Sequence, residues 1–296
     1  MIIYLDQNKW IELARIVNGL ETSPAALTLL DEIEAAVSCD YIFPLSAVHI
    51  MEFSRIKDPE RRGRLGKVMW KYSEGVTLTS AREVVSCEIE KALSQHFTSI
   101  KVRELQIIGK GTENAFGEIM PNRYPEAVEM EIFRMMLTGD STLGLEPIQF
   151  SSNRSRISFF NHLESLQETK KQLPKSKWDD WLYAICTMDI TEPLKEVLEQ
   201  QQIARSEIEA LFIAEARWLV DAMPSRKLDL HLHKQVLKNS QYKPKKSDLE
   251  DWAGLGLAVC YCDVVVCEKH FANMLTRDGF STHARVITDL YELFQL

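Results

Sequence analysis

The 296-residue chain has no apolar run of the roughly 18 residues that a membrane-crossing helix requires. Its most apolar stretch, Trp252 to Cys267, is broken by Asp263 and reads as a buried helix followed by a buried strand. The opening MIIYLDQNKW has no basic segment ahead of its apolar run, which ends at Asp6, so a secretory signal is not expected. Glycine (12) and proline (10) are sparse, which excludes collagen-like and low-complexity classes. There is no Gly-rich phosphate loop and no nucleophile elbow. The six cysteines are scattered and suggest no disulfide framework, which favours a reducing cytoplasm. Three of them, Cys260, Cys262 and Cys267, lack the spacing of a zinc knuckle. Nor is there an excess of cations: 35 Lys and Arg face 43 Asp and Glu, a net charge of −8. That argues against a protein that coats nucleic acid. It argues less against an enzyme whose carboxylates hold cations.

What is present is an ordinary globular composition, 45% hydrophobic and 26% charged, long enough for one or two domains. Two basic runs stand out, Arg55–Lys67 and His233–Lys246. Ile2–Leu5 is an apolar strand candidate, followed at once by Asp6 and a helical pattern through Trp10, Leu13 and Val17. A second strand, Tyr41–Leu45, leads into Ser46 and a helix through Ile50 and Phe53, and Val76–Leu78 is a third. From about Ser80 to Asn239 apolar residues recur every three or four positions, so helix is expected after helix. Ser247-Asp-Leu-Glu250 has the spacing of a capping box, opening a helix from Asp248 to Cys260, and Val264–Cys267 and Arg285–Ile287 are the last strands. Strand–helix alternation at both ends implies one α/β domain, residues 1–80 with 245–296, interrupted by an all-helical insertion over 81–244.

Four acids stand where open α/β sheets place their chemistry, at strand ends and in the first turns of the following helices. They are Asp6, Glu52, Asp251 and Glu268, with Asp248 as an alternative to Asp251. Each alone has an ordinary structural use. Asp6 can cap a helix, Glu52 can sit on a surface, and Asp248, Glu250 and Asp251 can favour a helix N-terminus. Together, clustered carboxylates repel and raise each other's pKa unless a cation neutralises them, which suits the oxygen-preferring Mg2+ or Mn2+. His231 and His233 would share a face only on a strand.

These segments resemble PIN-domain ribonucleases. YLDQNKWIEL (Tyr4–Leu13) is similar to the family's opening, a strand ending in Asp, one variable residue and Asn or Ser; Asp6 and Asn8 fill those places. SAVHIME (Ser46–Glu52) resembles the second signature, a Ser followed six residues later by a Glu. DWAGLGLAVCYCDVVVCEKHF (Asp251–Phe271) resembles the third and fourth: an Asp opening a small-residue helix, a β-branched strand, and an acid three residues before Phe. Glu268 stands where the family usually has Asp, and the spacing to Glu268 suits Asp251 better than Asp248.

The resemblance implies a three-layer, PIN-like parallel sheet and an endoribonuclease that hydrolyses single-stranded RNA with Mg2+ or Mn2+. Asp6, Glu52, Asp251 and Glu268 would hold the metal. Asn8 would orient a ligand or contact phosphate, and Ser46 would support the Asp6 carboxylate. Arg55, Lys269 and, from the second basic run, Lys243, Lys245 and Lys246 would meet the substrate. The implied setting is a cytoplasmic toxin or antiviral effector. Its partners would be RNA, an inhibitory antitoxin or effector-complex protein, and a second copy of the chain. The rival expectations are a degenerate PIN-like binding protein and a metal-dependent DNA nuclease.

Overall fold

In a computed structural model of the chain, residues 1–117, 124–150, 154–204, 206–208, 217–239, 241–245 and 247–295 are described. The apolar tripeptide Ile3–Leu5 forms strand β1, and Asp6 behind it opens helix α1 (Gln7–Val17). There follow α2 (Pro24–Ser38), α3 (Ala47–Phe53), α4 (Pro59–Ser73), β2 (Val76–Leu78), α5 (Ala81–Leu93), β3 (Ile108–Lys110), α6 (Gly111–Phe116), α7 (Glu126–Thr138) and α8 (Arg154–Gln172). Then come α9 (Trp178–Met188), α10 (Thr191–Gln200), α11 (Arg217–Ala222), α12 (Pro224–Lys238) and α13 (Asp248–Glu250). A π-helical turn (Asp251–Leu255) joins α13 to α14 (Gly256–Tyr261), and β4 (Val264–Val266), α15 (Lys269–Thr276) and β5 (Arg285–Ile287) complete the series. The fold is mixed α/β and mostly helical.

Strands β1, β4 and β5 form a parallel sheet in the order β1–β4–β5, with Ile3 opposite Val264 and Val264 opposite Arg285. Single bridges extend it: Ile2 pairs with Ile42, and Leu45 with Thr77 of β2. Between those bridges Pro44 has no N–H to give, which is why the expected strand Tyr41–Leu45 touches its neighbours only at its ends. Strand β2 in turn pairs antiparallel with β3. Ile3, Leu5, Val264 and Val266 enter one apolar cluster with Trp10, Leu13, Leu29, Ile33 and Leu65. Tyr4 and Val265 are equally buried but stand outside that cluster, on the opposite face, as a two-residue period requires. A sheet buried on both faces explains the unbroken apolar run of β4.

The chain divides into two compact units, Met1–Ser80 with Ile107–Asn153 and Ala253–Leu296, and Ala81–Gln106 with Arg154–Trp252. The stretch 107–153, expected within the helical insertion, groups with the sheet. Strand β3 pairs with β2, and α7 crosses α4 at Gly66, where a Cβ would stand 1.9 Å from the Leu137 carbonyl oxygen. Residues 81–244 are therefore not all helical. Their strand β3, Ile-Gly-Lys, is too short and polar to show an alternating pattern. The second unit is helical. Val85, Ile89 and Leu93 of α5 pack with Val197, Leu219 and Met223, and the buried Glu88 accepts hydrogen bonds from the Ser225 N–H and hydroxyl.

Candidate functional site

The candidate site begins where β1 ends. The Asp6 N–H donates to the Val266 carbonyl at 2.9 Å, carrying the β1–β4 ladder one residue further. The side chain then turns back, and its Oδ1 accepts the Gln7 N–H at 2.7 Å, an N-cap made to the first helical residue. Asp6 is only 8% exposed. Burial, then the nearby charge of Glu268, push its carboxyl up from 3.8 to about 6, against the opposing pull of the Gln7 N–H and Lys9.

Glu268 follows the end of β4 and precedes α15, yet it does not cap that helix. Its Oε1 instead accepts a hydrogen bond from Asn8 Nδ2 at 2.5 Å. Two acids and a carboxamide thus stand at the carboxyl ends of adjacent parallel strands. The chain passes from β1 to residues 42–45 on one side and returns through β4 on the other, so the strand order reverses here. Open parallel sheets take their ligands in the crevice outside such a reversal. No protein-family model matches the chain, and comparisons with curated proteins and with solved structures return no match.

On the sheet face away from the main apolar cluster, Tyr4 gathers a second group. Its hydroxyl lies 3.0 Å from Ser46 Oγ, and its ring stacks on His49 with centroids 4.7 Å apart. Ser46 caps α3: its Oγ accepts the His49 N–H, and its own N–H donates to His49 Nδ1 at 3.1 Å. An accepting Nδ1 leaves the ring proton on Nε2. Burial pushes His49 down to about 3, the Leu5 carbonyl opposing, so the imidazole stays neutral. The Tyr4 hydroxyl is raised well above its ordinary value, first by burial and then by the charges of Asp6 and Glu52. Glu52, half-buried on α3, thereby shares a neighbour with Asp6. Ser46 does not support Asp6 as the resemblance implied, because its hydroxyl is turned to Tyr4 and His49. Gly254 reaches the same tyrosine: a Cβ there would stand 2.7 Å from Tyr4 Oη and 3.4 Å from Val48.

The other expected residues are distributed as follows. Asp251 begins the π-helical turn and belongs to the second unit, which ends at Trp252, two residues before Gly254. Asp248, the alternative, is engaged: its Oδ2 accepts the Tyr242 hydroxyl at 2.6 Å and the Lys245 N–H at 2.7 Å. The expected capping box does not form, for Ser247 has helical dihedrals, its side chain makes no cap, and Glu250 Oε1 accepts from Arg156 Nε. Lys243 and Lys245 are exposed on the second unit, and Lys246 lies outside the described residues. Arg55 falls in the turn after α3 rather than on the helix face of Glu52. Lys269 is exposed in the first turn of α15. Within the first basic run Arg62 is structural. It is 1% exposed and donates to the carbonyls of Ile56, Lys57 and Pro147. His231 and His233 lie on α12, two residues apart, and so do not share a face.

Sequence reasoning missed Tyr4 and His49. A histidine three residues after a capping serine is the signal that could have found them. It also missed a cluster in the second unit, where Cys186, Asp229 and His233 bring one ligand atom each to within 4.8 Å of one another. Nothing local announces it, since Cys186 lies 43 residues before Asp229.

Proposed function

We propose that the chain is a PIN-like, metal-dependent endoribonuclease whose reacting centre lies at the carboxyl ends of β1 and β4. The observation that carries this is the pairing of Asp6 with Glu268 across adjacent parallel strands. Glu268 adds to the burial that raises the Asp6 carboxyl, and Asn8 fixes Glu268. A buried carboxylate raised by a neighbouring acid gains from a shared cation, and an all-oxygen donor set suits Mg2+ or Mn2+. Such an ion, when bound, neutralises charge on the scissile phosphate and acidifies water.

Asp6 and Glu268 would hold the cation, with Glu52 contributing through solvent from beside Tyr4. Asn8 orients Glu268, a supporting contact of the kind that tunes metal ligands. The Tyr4 hydroxyl keeps its proton, so it adds no third negative charge beside Asp6 and Glu52. Lys269 and Arg55 would meet phosphates. RNA is the substrate, and the setting proposed is that of a toxin or antiviral effector.

Two measurements test this. Calorimetric titration with Mn2+ at pH 7.5 should show saturable binding to the full chain and none to Asp6→Asn. Cleavage of matched RNA and DNA single strands should be metal-dependent and favour RNA. A wild-type chain that takes up no Mn2+ would overturn the metal reading, and equal cleavage of DNA would overturn the substrate assignment.

A further inference from the structure

We propose that Cys186, Asp229 and His233 form a second metal site, inside the helical unit, for a divalent transition metal of the zinc class. Helix α12 presents Asp229 and His233 four residues apart, hence on one face. Helix α9 presents Cys186 toward them, with Cys186 Sγ 3.7 Å from Asp229 Oδ2 and His233 Nδ1 3.5 Å from Asp229 Oδ1. Zinc bond lengths of about 2.0–2.3 Å imply ligand-to-ligand edges of about 3.3–3.7 Å in a tetrahedron. The two separations, one to each Asp229 oxygen, are of that size, and one ligand atom from each of the three residues lies within 4.8 Å of the others.

The Asp229 carboxylate supplies an independent reason. Its side chain is 17% exposed, yet its neighbours stand off: Cys186 Sγ at 3.7 Å, His233 Nδ1 at 3.5 Å and Arg226 Nη1 at 3.6 Å. Neither nitrogen is at hydrogen-bond length. A largely buried carboxylate so loosely met is a carboxylate with room for an ion. Cys186 is fully buried and His233 nearly so, and the rings of Trp252 and His162 flank His233 at 4.9 and 5.5 Å. Asp189, three residues after Cys186, faces the same group: its carboxyl is raised by burial and by Asp229, and lowered by Arg226, His233 and His162.

One hydrogen bond that would steady a ligand is in place, between His233 and His162, while the one from His233 to the Asp229 carbonyl must open. Without metal, His233 Nδ1–H donates to the Asp229 backbone carbonyl at 2.8 Å, and His233 Nε2 lies 3.2 Å from His162 Nε2. On binding, the Cys186 thiol releases its proton to solvent and Sγ bonds the metal. His233 Nδ1 gives its proton to solvent, and His233 Nε2 takes over the proton that His162 Nε2 had donated to it. His162 is reprotonated from solvent at Nδ1, so the His233 Nδ1 lone pair is free for the metal and Nε2–H donates to His162. A ligating histidine whose other N–H is held by a neighbour is the usual arrangement. Sulfur and nitrogen among the donors select zinc-class ions over Mg2+.

None of these residues belongs to the sheet-edge group, so the two sites stand or fall separately. The test uses the full chain, stripped of metal by a chelator and titrated with Co2+ as a spectroscopic stand-in. The expected result is one equivalent that carries tetrahedral ligand-field bands and a thiolate-to-cobalt charge-transfer band, displaced by Zn2+. Asp6→Asn with Glu268→Gln should leave the spectrum unchanged, whereas Cys186→Ser should abolish the charge-transfer band. His162→Asn keeps all the ligands and guards against a misfolded variant. It should retain the band with affinity lowered about 10–100-fold. Absence of a thiolate band in the wild-type chain, or its survival in Cys186→Ser, would overturn the proposal.

Discussion

The two candidate centres are built by opposite means. At the sheet edge, backbone hydrogen bonds between neighbouring strands fix Asp6 against β4, and the donors are all oxygen. In the helical unit, side-chain packing alone brings Cys186 to Asp229 and His233, and the donors mix sulfur, nitrogen and oxygen. A strand end places its acid whatever the surrounding side chains do, whereas a helix-pair site depends on the packing of both helices. The first arrangement suits an ion that must be met by substrate. The second suits one that pins two helices together.

The largest expected effect separates chemistry from stability at the sheet edge. Asp6→Asn should lower RNA cleavage by about 10²–10³-fold, the scale for losing one preorganised electrostatic contact. Yet it should raise the stability of the metal-free protein. Asp6 holds its proton more tightly folded, at about 6, than at its ordinary 3.8. Its contribution to stability is thus full below 3.8 and is lost as pH rises through 6. Removing the charge should recover up to about 3 kcal/mol at pH 7.5, read by urea unfolding. A less stable Asp6→Asn protein would contradict the buried, burdened carboxylate.

Next in size, Asn8→Ala should weaken Mn2+ binding about 10–100-fold by freeing Glu268, measured by calorimetry, while the cobalt–thiolate spectrum stays as in wild type. If both metals weaken together, the two centres are not independent.

The pH response should distinguish them more gently. Mn2+ affinity should fall about tenfold per pH unit below 6 as Asp6 protonates, and its Asp6-linked part should be flat above. Burial and the charge of Asp229 raise the Cys186 thiol well above its usual range. Co2+ uptake must displace that proton, so affinity should climb about tenfold per unit from pH 6 to 8. Asp189, Asp229, Arg226 and His233 face the thiol and would modulate the slope.

The smallest effect concerns charge on the second unit. Reversal to Glu at Lys243, Lys245 and Lys246 should weaken RNA binding and flatten its salt dependence by roughly 0.7 for each phosphate no longer neutralised, in filter-binding assays at several salt concentrations. An unchanged salt slope would remove these lysines from the substrate path.

The same contrast governs what can be read from the sequence. Strand, Asp6 and helix are contiguous, so apolar run, acid and periodicity announce them in order. Ser46 is legible for the same reason, as a cap before an apolar helix. The partner of Asn8 is not, because it lies 260 residues away and only strand pairing brings it near. Strand β3 is hidden by Gly109 and Lys110, which break any alternation. The capping box at Ser247 does not form because Ser247 takes helical dihedrals and Arg156, 94 residues away, holds the Glu250 carboxylate, a competition invisible in a four-residue pattern.

The span between Asn8 and Glu268 also sets a timetable. At about 5–20 residues per second, translation separates the two ends of this contact by roughly ten to fifty seconds. Throughout that interval β1 has an open flank on the side β4 will fill, a flank that invites foreign strands. The carboxylate pair can form only once Glu268 has left the ribosome, so a nascent or truncated chain that stops before β4 carries Asp6 without its counterpart.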